Sequence, residues 1–156
     1  MTKEIVLKHG QIALVDDEDY ENLAGYSWHV VGGYAQNTQY LTTGRKNMYM
    51  HRLVMGFPES VIDHKNGNKL DNRKCNLRIC TRQENQRNQK LSIRNTSKYR
   101  GVSYYRRYGN WRASITNNEK KLVFLGYFET AEEAARRYDE ESKKIHGEFG
   151  ILNFPY

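Results

Sequence analysis

Apolar and polar positions alternate in the first part of the chain and predict two hairpins around a short helix. Residues 4–15 are rich in strand-forming residues, which predicts a hairpin that turns at Gly10. The acidic segment 16–25 predicts a short helix, because carboxylates stabilise the first turn of a helix and glycine can end it. The next β-rich stretch predicts a second hairpin around Gly32 and Gly33.

The central segment changes from an apolar stretch to a strand, loop, strand and helix. Residues 47–56, NMYMHRLVMG, are apolar, and their pattern leaves the element type open until Pro58 breaks the segment. VIDH at 61–64 predicts a short strand, and LRIC at 77–80 predicts a strand that returns after a polar loop. A helix should follow, because Thr81 and the glutamate three residues later have the spacing of a capping box.

The pattern changes again after residue 98 and predicts a small sheet. Three β-rich runs, at 99–105, 110–116 and 121–128, are separated by the turn-forming sequences RRYGN and NNEK. Short β-runs joined by short turns pair with their neighbours along the chain. The sequence therefore predicts a three-stranded antiparallel sheet.

One amphipathic helix is predicted after this sheet. Thr130 and Glu133 have the spacing of a capping box, and Gly147 ends the segment. Small or apolar side chains recur every three or four residues, which predicts a helix that packs closely on the sheet. These positions are Ala131, Ala134, Ala135, Tyr138, Ser142 and Ile145.

These patterns predict an α+β chain made of two small modules. The first module is expected at residues 1–90, with its strand, strand and helix core at 61–90. Residues 91–98 lack periodicity and are expected to form a linker. Residues 99–156 are expected to form the second module, a three-stranded sheet packed on one helix.

Composition favours a protein that stays inside the cell. The mean hydropathy is -0.90, and no apolar run approaches the about 18 residues that a membrane helix needs. The N-terminal stretch lacks the features of a secretory signal. Two cysteines, Cys75 and Cys80, fit a reducing compartment. We expect a cytoplasmic protein, associated with the nucleoid in a bacterium or phage, that does not contact a membrane.

The positive charge is concentrated in the middle of the chain. The formal net charge is +7, and residues 64–98 hold ten basic residues against two acidic ones. Residues 99–121 hold six against one, whereas both flanking segments are acidic. A basic block of this kind favours a polyanionic partner, and the regular phosphates of nucleic acid reward many lysines and arginines. A solvated linker is the alternative for the charge alone.

The predicted strand, loop, strand and helix would gather four polar side chains with complementary chemistry. Asp63 and Asn85 offer hard oxygen ligands that suit Mg²⁺ or Mn²⁺. His64 titrates near neutral pH and can take a proton from water if a group such as Asn76 holds its other ring nitrogen. The alternative is a polar turn whose asparagines only supply backbone turns and caps.

The run IDHKNGNKLDNRKCNLRICTRQENQRN at 62–88 resembles the HNH endonuclease family, in its Asp-His homing branch. The resemblance implies a ββα-metal module, with His64 as general base, Asn76 orienting it, and Asp63 and Asn85 binding one divalent ion. The arginines of this module that we expect to contact DNA are Arg52, Arg78 and Arg87. His51 is expected to have a structural role.

The second module resembles the DNA-binding domain of plant ethylene-response factors. The resemblance rests on YRGV, LGYF, TAEEAARRYD and LNF, which occur in this order. That family places its sheet in the major groove, and alternation predicts that Trp111, Ala113 and Ile115 face the helix. The residues then expected to contact DNA are Arg100, Arg106, Arg107, Arg112, Ser114 and Thr116.

Some positions depart from the plant pattern. Ser114 and Thr116 stand where that family has base-contacting Glu and Arg, and Leu122 and Phe124 stand where it has Arg and Trp. The plant recognition sequence is therefore not carried over to this chain.

Together the two resemblances imply a metal-dependent DNA endonuclease. We expect hydrolysis of a phosphodiester in double-stranded DNA, with 3'-hydroxyl and 5'-phosphate products. One site per chain predicts a nick, and a double-strand break would need a dimer or a second event. The chain is expected to be a monomer or a dimer assembled on DNA. The alternatives are a sequence-specific DNA-binding regulator with an inactive HNH fold, and an RNA-binding or metal-stabilised structural protein.

Overall fold

The computed structural model describes residues 1–88, 91–92 and 95–155 and divides into two compact units. The first unit is Met1–Gln86 and the second is Arg87–Tyr156. The predicted module boundaries at 90 and 99 stay a prediction. The end of the first module at 89–90, part of the linker at 93–94 and residue 156 lie outside the described residues.

The first unit begins with the predicted hairpin and helix. Strand β1 (Thr2–Val6) pairs antiparallel with β2 (Ile12–Asp16). Gly10, in the turn between them, has a φ of 81°, a conformation that glycine adopts without steric cost. Helix α1 (Asp17–Ala24) follows at once, with three acidic residues in its first turn. The pattern of the first 24 residues therefore predicted these elements correctly.

A three-stranded sheet follows, where the pattern predicted only a hairpin. It has the order β3 (His29–Val31), β4 (Tyr34–Leu41) and β5 (Gly44–Tyr49), all antiparallel. The segment of open type begins within β5 and continues into helix α2 (Met50–Val54). Strand β5 was missed because its residues from Gly44 to Asn47 are exposed and carry no apolar alternation.

The strand, loop, strand and helix order of the central segment is present. Strand β6 (Val61–His64) pairs antiparallel with β7 (Leu77–Cys80), and helix α3 (Arg82–Arg87) follows. The loop between the strands is tied to β2, because the Leu14 amide donates to the Leu70 carbonyl at 2.9 Å and the Asn72 amide donates to the Leu14 carbonyl at 2.7 Å. The strands thus hold His64 beside an anchored loop.

The core of the first unit is built from side chains of the N-terminal hairpin, α1 and the second sheet. Trp28 is the largest fully buried side chain, and its indole Nε1 donates to the Leu23 carbonyl at 2.8 Å. Val15 and Met50 pack in the same core. Leu70, in the loop after β6, packs against this core.

The second unit has the predicted sheet and helix. Its strands are β8 (Val102–Tyr105), β9 (Asn110–Thr116) and β10 (Leu122–Phe128), with β9 in the centre and antiparallel pairing throughout. Helix α4 (Ala131–His146) packs on this sheet, and a 3-10 turn (Gly147–Phe149) follows. Over the part of the chain that the structure describes, no helix has the length and apolarity needed to cross a membrane.

The packing of α4 explains two features of its sequence. The capping box forms, with the Glu133 amide donating to Thr130 Oγ1 at 3.2 Å and the Thr130 amide donating to the Glu133 carboxylate at 3.3 Å. Ala134 and Ala135 are fully buried against Ala113 of β9. The small residues therefore let the helix approach the sheet closely, as the pattern predicted.

The residues after α4 are fixed to it by one carboxylate. Asp139 is 7% exposed, and its oxygens accept from the Asn153 amide at 2.8 Å and from the Phe154 amide at 2.9 Å. The Asn153 side chain also accepts from the Arg100 amide at 2.6 Å. Asn153 thereby joins the end of the chain to the segment that leads into β8.

Candidate functional site

His64 ends strand β6 and points into a polar environment formed by the loop. It is 4% exposed, and its Nε2 lies 3.4 Å from Asn72 Oδ1. The Asn72 side chain is completely buried and donates through Nδ2 to the Leu70 carbonyl at 3.2 Å, so its oxygen is the atom that faces the imidazole. An oxygen at Nε2 favours the tautomer with the proton on Nε2, which makes Nδ1 the proton-accepting nitrogen.

Asn76 does not make the contact with the imidazole that the motif predicted. Its Oδ1 accepts from the Asn66 amide at 3.0 Å, and its Nδ2 donates to the Asp71 carbonyl at 2.8 Å. Both bonds hold the loop, because an asparagine can satisfy backbone donors and acceptors at the same time. Asn72 therefore takes the position beside His64, and Asn76 acts on it through the loop.

Asp63 is bound by the arginine directly opposite it on β7. Arg78 donates to the same Asp63 oxygen through Nε at 2.9 Å and Nη2 at 2.8 Å. The two side chains are only 5% and 10% exposed, and cross-strand pairing places them together. This geometry argues against the predicted contact of Arg78 with DNA. It also places a positive charge on the carboxylate that was predicted to bind a metal.

Aromatic rings enclose the other side of His64. The imidazole of His51 lies edge-on to that of His64, with ring centroids 5.3 Å apart, and Tyr34 lies 5.8 Å from His64. His51 is 9% exposed, and its Nδ1 has no hydrogen-bond partner among the described residues. Burial lowers the pKa of His51 to about 4, so its ring is neutral at pH 7. The structural role predicted for His51 agrees with this packing.

Burial also governs the protonation of His64. It lowers the pKa of His64 below its ordinary value, although Asn72 and the carboxylates of Asp63 and Asp71 act in the opposite direction. A neutral imidazole at pH 7 can accept a proton. The site therefore holds its histidine in the state that a general base requires.

The donor types needed for a divalent ion are present, whereas a complete ligand cluster is not seen. Asn85 lies on α3, where its backbone N–H donates to the Thr81 carbonyl at 3.0 Å. An Asp carboxylate and an Asn amide are suitable ligands for Mg²⁺. Within the described ranges, no three His, Cys, Asp or Glu side chains are grouped so as to hold a metal.

Two other arginines predicted to contact DNA make intramolecular bonds. Arg52 donates through Nη2 to the Pro58 carbonyl and so fixes the turn after α2. Arg87, the first residue of the second unit, donates to Asn118 Oδ1 at 2.9 Å. These bonds assign both side chains a structural role and leave their contact with DNA a prediction.

The face of β8 to β10 that is directed away from α4 carries three of the six residues predicted to contact DNA in the second unit. Ala113 and Ile115 are buried beneath the sheet, so Arg112, Ser114 and Thr116 lie on the opposite face. The outward orientation predicted for this strand is therefore confirmed.

The remaining arginines of the second unit differ in exposure. Arg106 and Arg107 are exposed in the turn between β8 and β9. Arg100 is half-buried, and its backbone is bound at both ends by Asn153. The turn therefore presents two adjacent cations beside the outward face of the sheet.

Sequence reasoning missed the residues that shape the surroundings of His64. Asp71 is 1% exposed and binds Arg73 through both carboxylate oxygens, each at 2.7 Å. The resulting turn places Asn72 against His64. A short spacing between Asp71 and Arg73 was visible in the sequence, but polar loop residues give no periodic signal that separates a buried side chain from a solvated one.

Family models match both units. The model of the HNH endonuclease matches residues 49–87, and the model of the AP2 domain matches residues 97–148. The first match covers the segment from the end of β5 to α3. The second covers the sheet and α4.

Several plant proteins are similar to part of the chain. The AP2-like ethylene-responsive transcription factor TOE2 of Arabidopsis thaliana is 46% identical over 59 residues, which is 38% of this chain and 12% of that protein. The ethylene-responsive transcription factor ERN3 of Medicago truncatula is 42% identical over 72 residues, 46% of this chain and 30% of that protein. The chain thus spans less than a third of either relative.

Proposed function

We propose that this chain is a DNA-binding protein that binds duplex DNA through the sheet of its second unit. The observation that carries the proposal is the AP2-domain match over residues 97–148, on a sheet with the exposed Arg106 and Arg107 beside its outward face. The relatives named as transcription factors support DNA binding by this chain rather than DNA cleavage. A role as a regulator follows most directly from this similarity.

Measuring affinity against salt concentration tests this proposal. The double variant Arg106→Gln/Arg107→Gln should bind duplex DNA more weakly and lower the slope of log affinity against log salt by about 2, since each phosphate contact contributes about 0.9. Lys143→Gln/Lys144→Gln on α4 removes the same charge and should leave the slope nearly unchanged. Equal slopes for both variants would contradict the sheet as the DNA-binding surface.

A second candidate function is DNA cleavage by the first unit, favoured by the HNH-endonuclease match over residues 49–87. His64, held neutral by burial, would accept the proton of an attacking water, with Asn72 holding Nε2 and Asn76 holding the loop. Asp63 and Asn85 would hold a divalent ion, with Asp63 shared with Arg78. Such an ion, Mg²⁺ or Mn²⁺, would stabilise charge on the scissile phosphate.

Nicking of supercoiled plasmid tests the second function. His64→Ala should abolish a Mg²⁺-dependent nick while DNA binding persists, because the base and the sheet belong to different units. His29→Ala, another histidine of the first unit, should nick like the unaltered chain. Nicking by purified His64→Ala would remove the assigned base, and no nicking with any divalent ion would leave the regulator as the function.

A further inference from the structure

The outward face of the second unit's sheet is dominated by packed aromatic rings. The centroids of Tyr105 and Tyr127 are 5.4 Å apart, those of Tyr108 and Tyr127 are 5.9 Å apart, and those of Phe124 and Tyr127 are 5.0 Å apart. We call these four residues the aromatic face. Tyr108 is 58% exposed, Phe124 50% and Tyr127 42%. Leu122, which is 62% exposed, extends the apolar surface along β10.

Arg112, in the central strand β9, stands on the aromatic face. Arg112 is opposite both Ser103 and Tyr127 in the sheet, and its guanidinium carbon lies 5.6 Å from the centre of the Phe124 ring. Its Nε is buried and has no hydrogen-bond partner among the described residues. The neighbouring Ser114 and Thr116 are small and uncharged. One planar cation is therefore held within an apolar frame.

Charge indicates what kind of partner covers this face. The segment 99–121 holds six basic residues against one acidic residue, and Arg107 lies over the ring of Tyr108 with 5.6 Å between its guanidinium carbon and the ring centre. An apolar surface bordered by cations fits a polyanion that exposes apolar groups between its charged borders. Duplex DNA meets both conditions in its major groove, because phosphates border a groove in which each thymine exposes a C5-methyl group.

We infer that the aromatic face reads thymine methyl groups on either side of a guanine bound by Arg112. This inference rests on the proposed DNA binding by the sheet. An arginine donates two hydrogen bonds to the O6 and N7 of guanine, whereas phenyl and aliphatic side chains contact the thymine methyl. The face therefore selects duplexes in which thymine is abundant next to guanine.

Ring geometry favours methyl contacts over the stacking of unpaired bases. Tyr108 and Tyr127 are inclined at 87°, and Phe124 and Tyr127 at 59°. Bases stack on rings whose flat surfaces are open to them, whereas these rings cover one another at steep angles. The face thus presents ring edges and shallow gaps of methyl size.

Removing the methyl group from DNA tests the inference directly. We expect the full chain to bind the alternating duplex poly(dT-dG)·poly(dC-dA), in which thymines flank every guanine, about tenfold more tightly than the same duplex with uracil in place of thymine, since uracil differs from thymine by one methyl and each buried methyl is worth about threefold in affinity. The two polymers have the same charge. Equal affinity for both would overturn methyl reading while leaving DNA binding in place. Tighter binding to single strands than to duplex would also overturn it.

Substitutions on the face locate the effect. Phe124→Ala and, separately, Leu122→Ser should reduce the preference for thymine over uracil to about onefold to threefold, and both sites are exposed enough for the fold to persist. Tyr40→Ala removes an aromatic side chain that is 84% exposed in the first unit and should keep the full preference. A preference that survives in both face variants would overturn the inference.

The guanine contact has its own measurement. Duplexes selected from a randomised pool by the full chain should contain guanine next to thymine, and the pool selected by Arg112→Gln should lose the guanine while keeping the thymines. Selection of the same guanine by the variant would remove Arg112 from the inference. Failure of the chain to retain any duplex would instead contradict the proposed function itself.

Discussion

Asn72 contributes to the candidate site through burial and backbone bonds. Its amide nitrogen is fixed by β2, its Nδ2 binds the Leu70 carbonyl, and its Oδ1 is thereby left to face His64. A buried amide in this position orients a neighbouring ring because its own rotation is prevented by two bonds. Such a residue supports the fold of the loop and the orientation of the imidazole.

Removing this amide should reduce stability. We expect Asn72→Ala to lower the free energy of unfolding by about 1–3 kcal/mol, because the Leu70 carbonyl and His64 Nε2 lose a partner inside the protein. Asn22→Ala, at an exposed position of α1, should change it by less than about 0.5 kcal/mol. Urea unfolding of the two variants checks the difference, and equal values would contradict the structural role of Asn72.

Acid should destabilise the first unit through His51. Its pKa is about 4 in the folded chain and near the ordinary 6.5 when unfolded, so the unfolded chain binds the extra proton first. Stability is therefore full above pH 6.5 and falls as the pH approaches 4, by at most about 3 kcal/mol. His51→Gln should flatten urea-unfolding stability over this range, whereas His9→Gln, at an exposed turn, should keep the slope.

The sequence predicted candidate site residues, but not their partners in the structure. Asp63, His64 and Asn85 were selected because carboxylate, imidazole and amide occur at a spacing that resembles a nuclease motif, and their roles stay a prediction. The pairing of Asp63 with Arg78 depends on cross-strand register, and the contact of Asn72 with His64 depends on a loop anchored to β2. Neither relation is encoded in local periodicity.

Strand β8 follows a glycine whose position leaves no room for a side chain. Gly101 has a φ of 72°, and a Cβ added there would lie 2.1 Å from the Tyr138 ring of α4 and 2.6 Å from the Ser114 carbonyl. The glycine of the YRGV sequence thus permits the close approach of helix and sheet. Its role follows from packing as well as from backbone conformation.

Gly101→Ala should destabilise the second unit strongly. The strain of a left-handed backbone at alanine and the overpacking of its Cβ should together lower the free energy of unfolding by about 2–5 kcal/mol. Gly109→Ala provides a matched control. The φ of Gly109 is also left-handed, at 68°, but an added Cβ would come no nearer than 3.8 Å to the Tyr104 hydroxyl. The control should therefore lose only about 1–2 kcal/mol of unfolding free energy. Thermal unfolding compares them, and equal losses would mean that contact with Tyr138 has no effect.

Elements with regular apolar patterns were predicted with the greatest success. The strands and helix of the second unit were predicted because alternation and a capping box agree with the tertiary packing. Strand β5 was not predicted, since an exposed strand gains its structure from pairing with β4 and carries little apolar pattern. Strand β5 is therefore determined by its pairing in the sheet, because its local sequence pattern does not predict a strand.

The whole molecule consists of two units with separate cores. The first core includes Leu23 and Trp28, and the second includes Ala113 and Ala134. The change of pattern after residue 98 predicted two modules, and the chain divides into its two units between Gln86 and Arg87, at the end of α3. The bounds of the predicted modules stay a prediction.

Separate cores predict that damage to one unit spares the function of the other. Leu23→Ala should lower the stability of the first unit by about 2–5 kcal/mol, because Leu23 is 1% exposed. Duplex binding by the second unit should then remain at a temperature where the first unit has unfolded. Circular dichroism and fluorescence anisotropy on the same sample check this, and simultaneous loss of both signals would contradict independent units.

The carboxylate of Asp139 has a consequence for engineering the chain. Because it accepts hydrogen bonds from Asn153 and Phe154, trimming the protein before residue 153 would strand a buried negative charge in the side of α4. A fragment cut to contain the second unit should therefore keep those two residues, although they lie beyond the last helix.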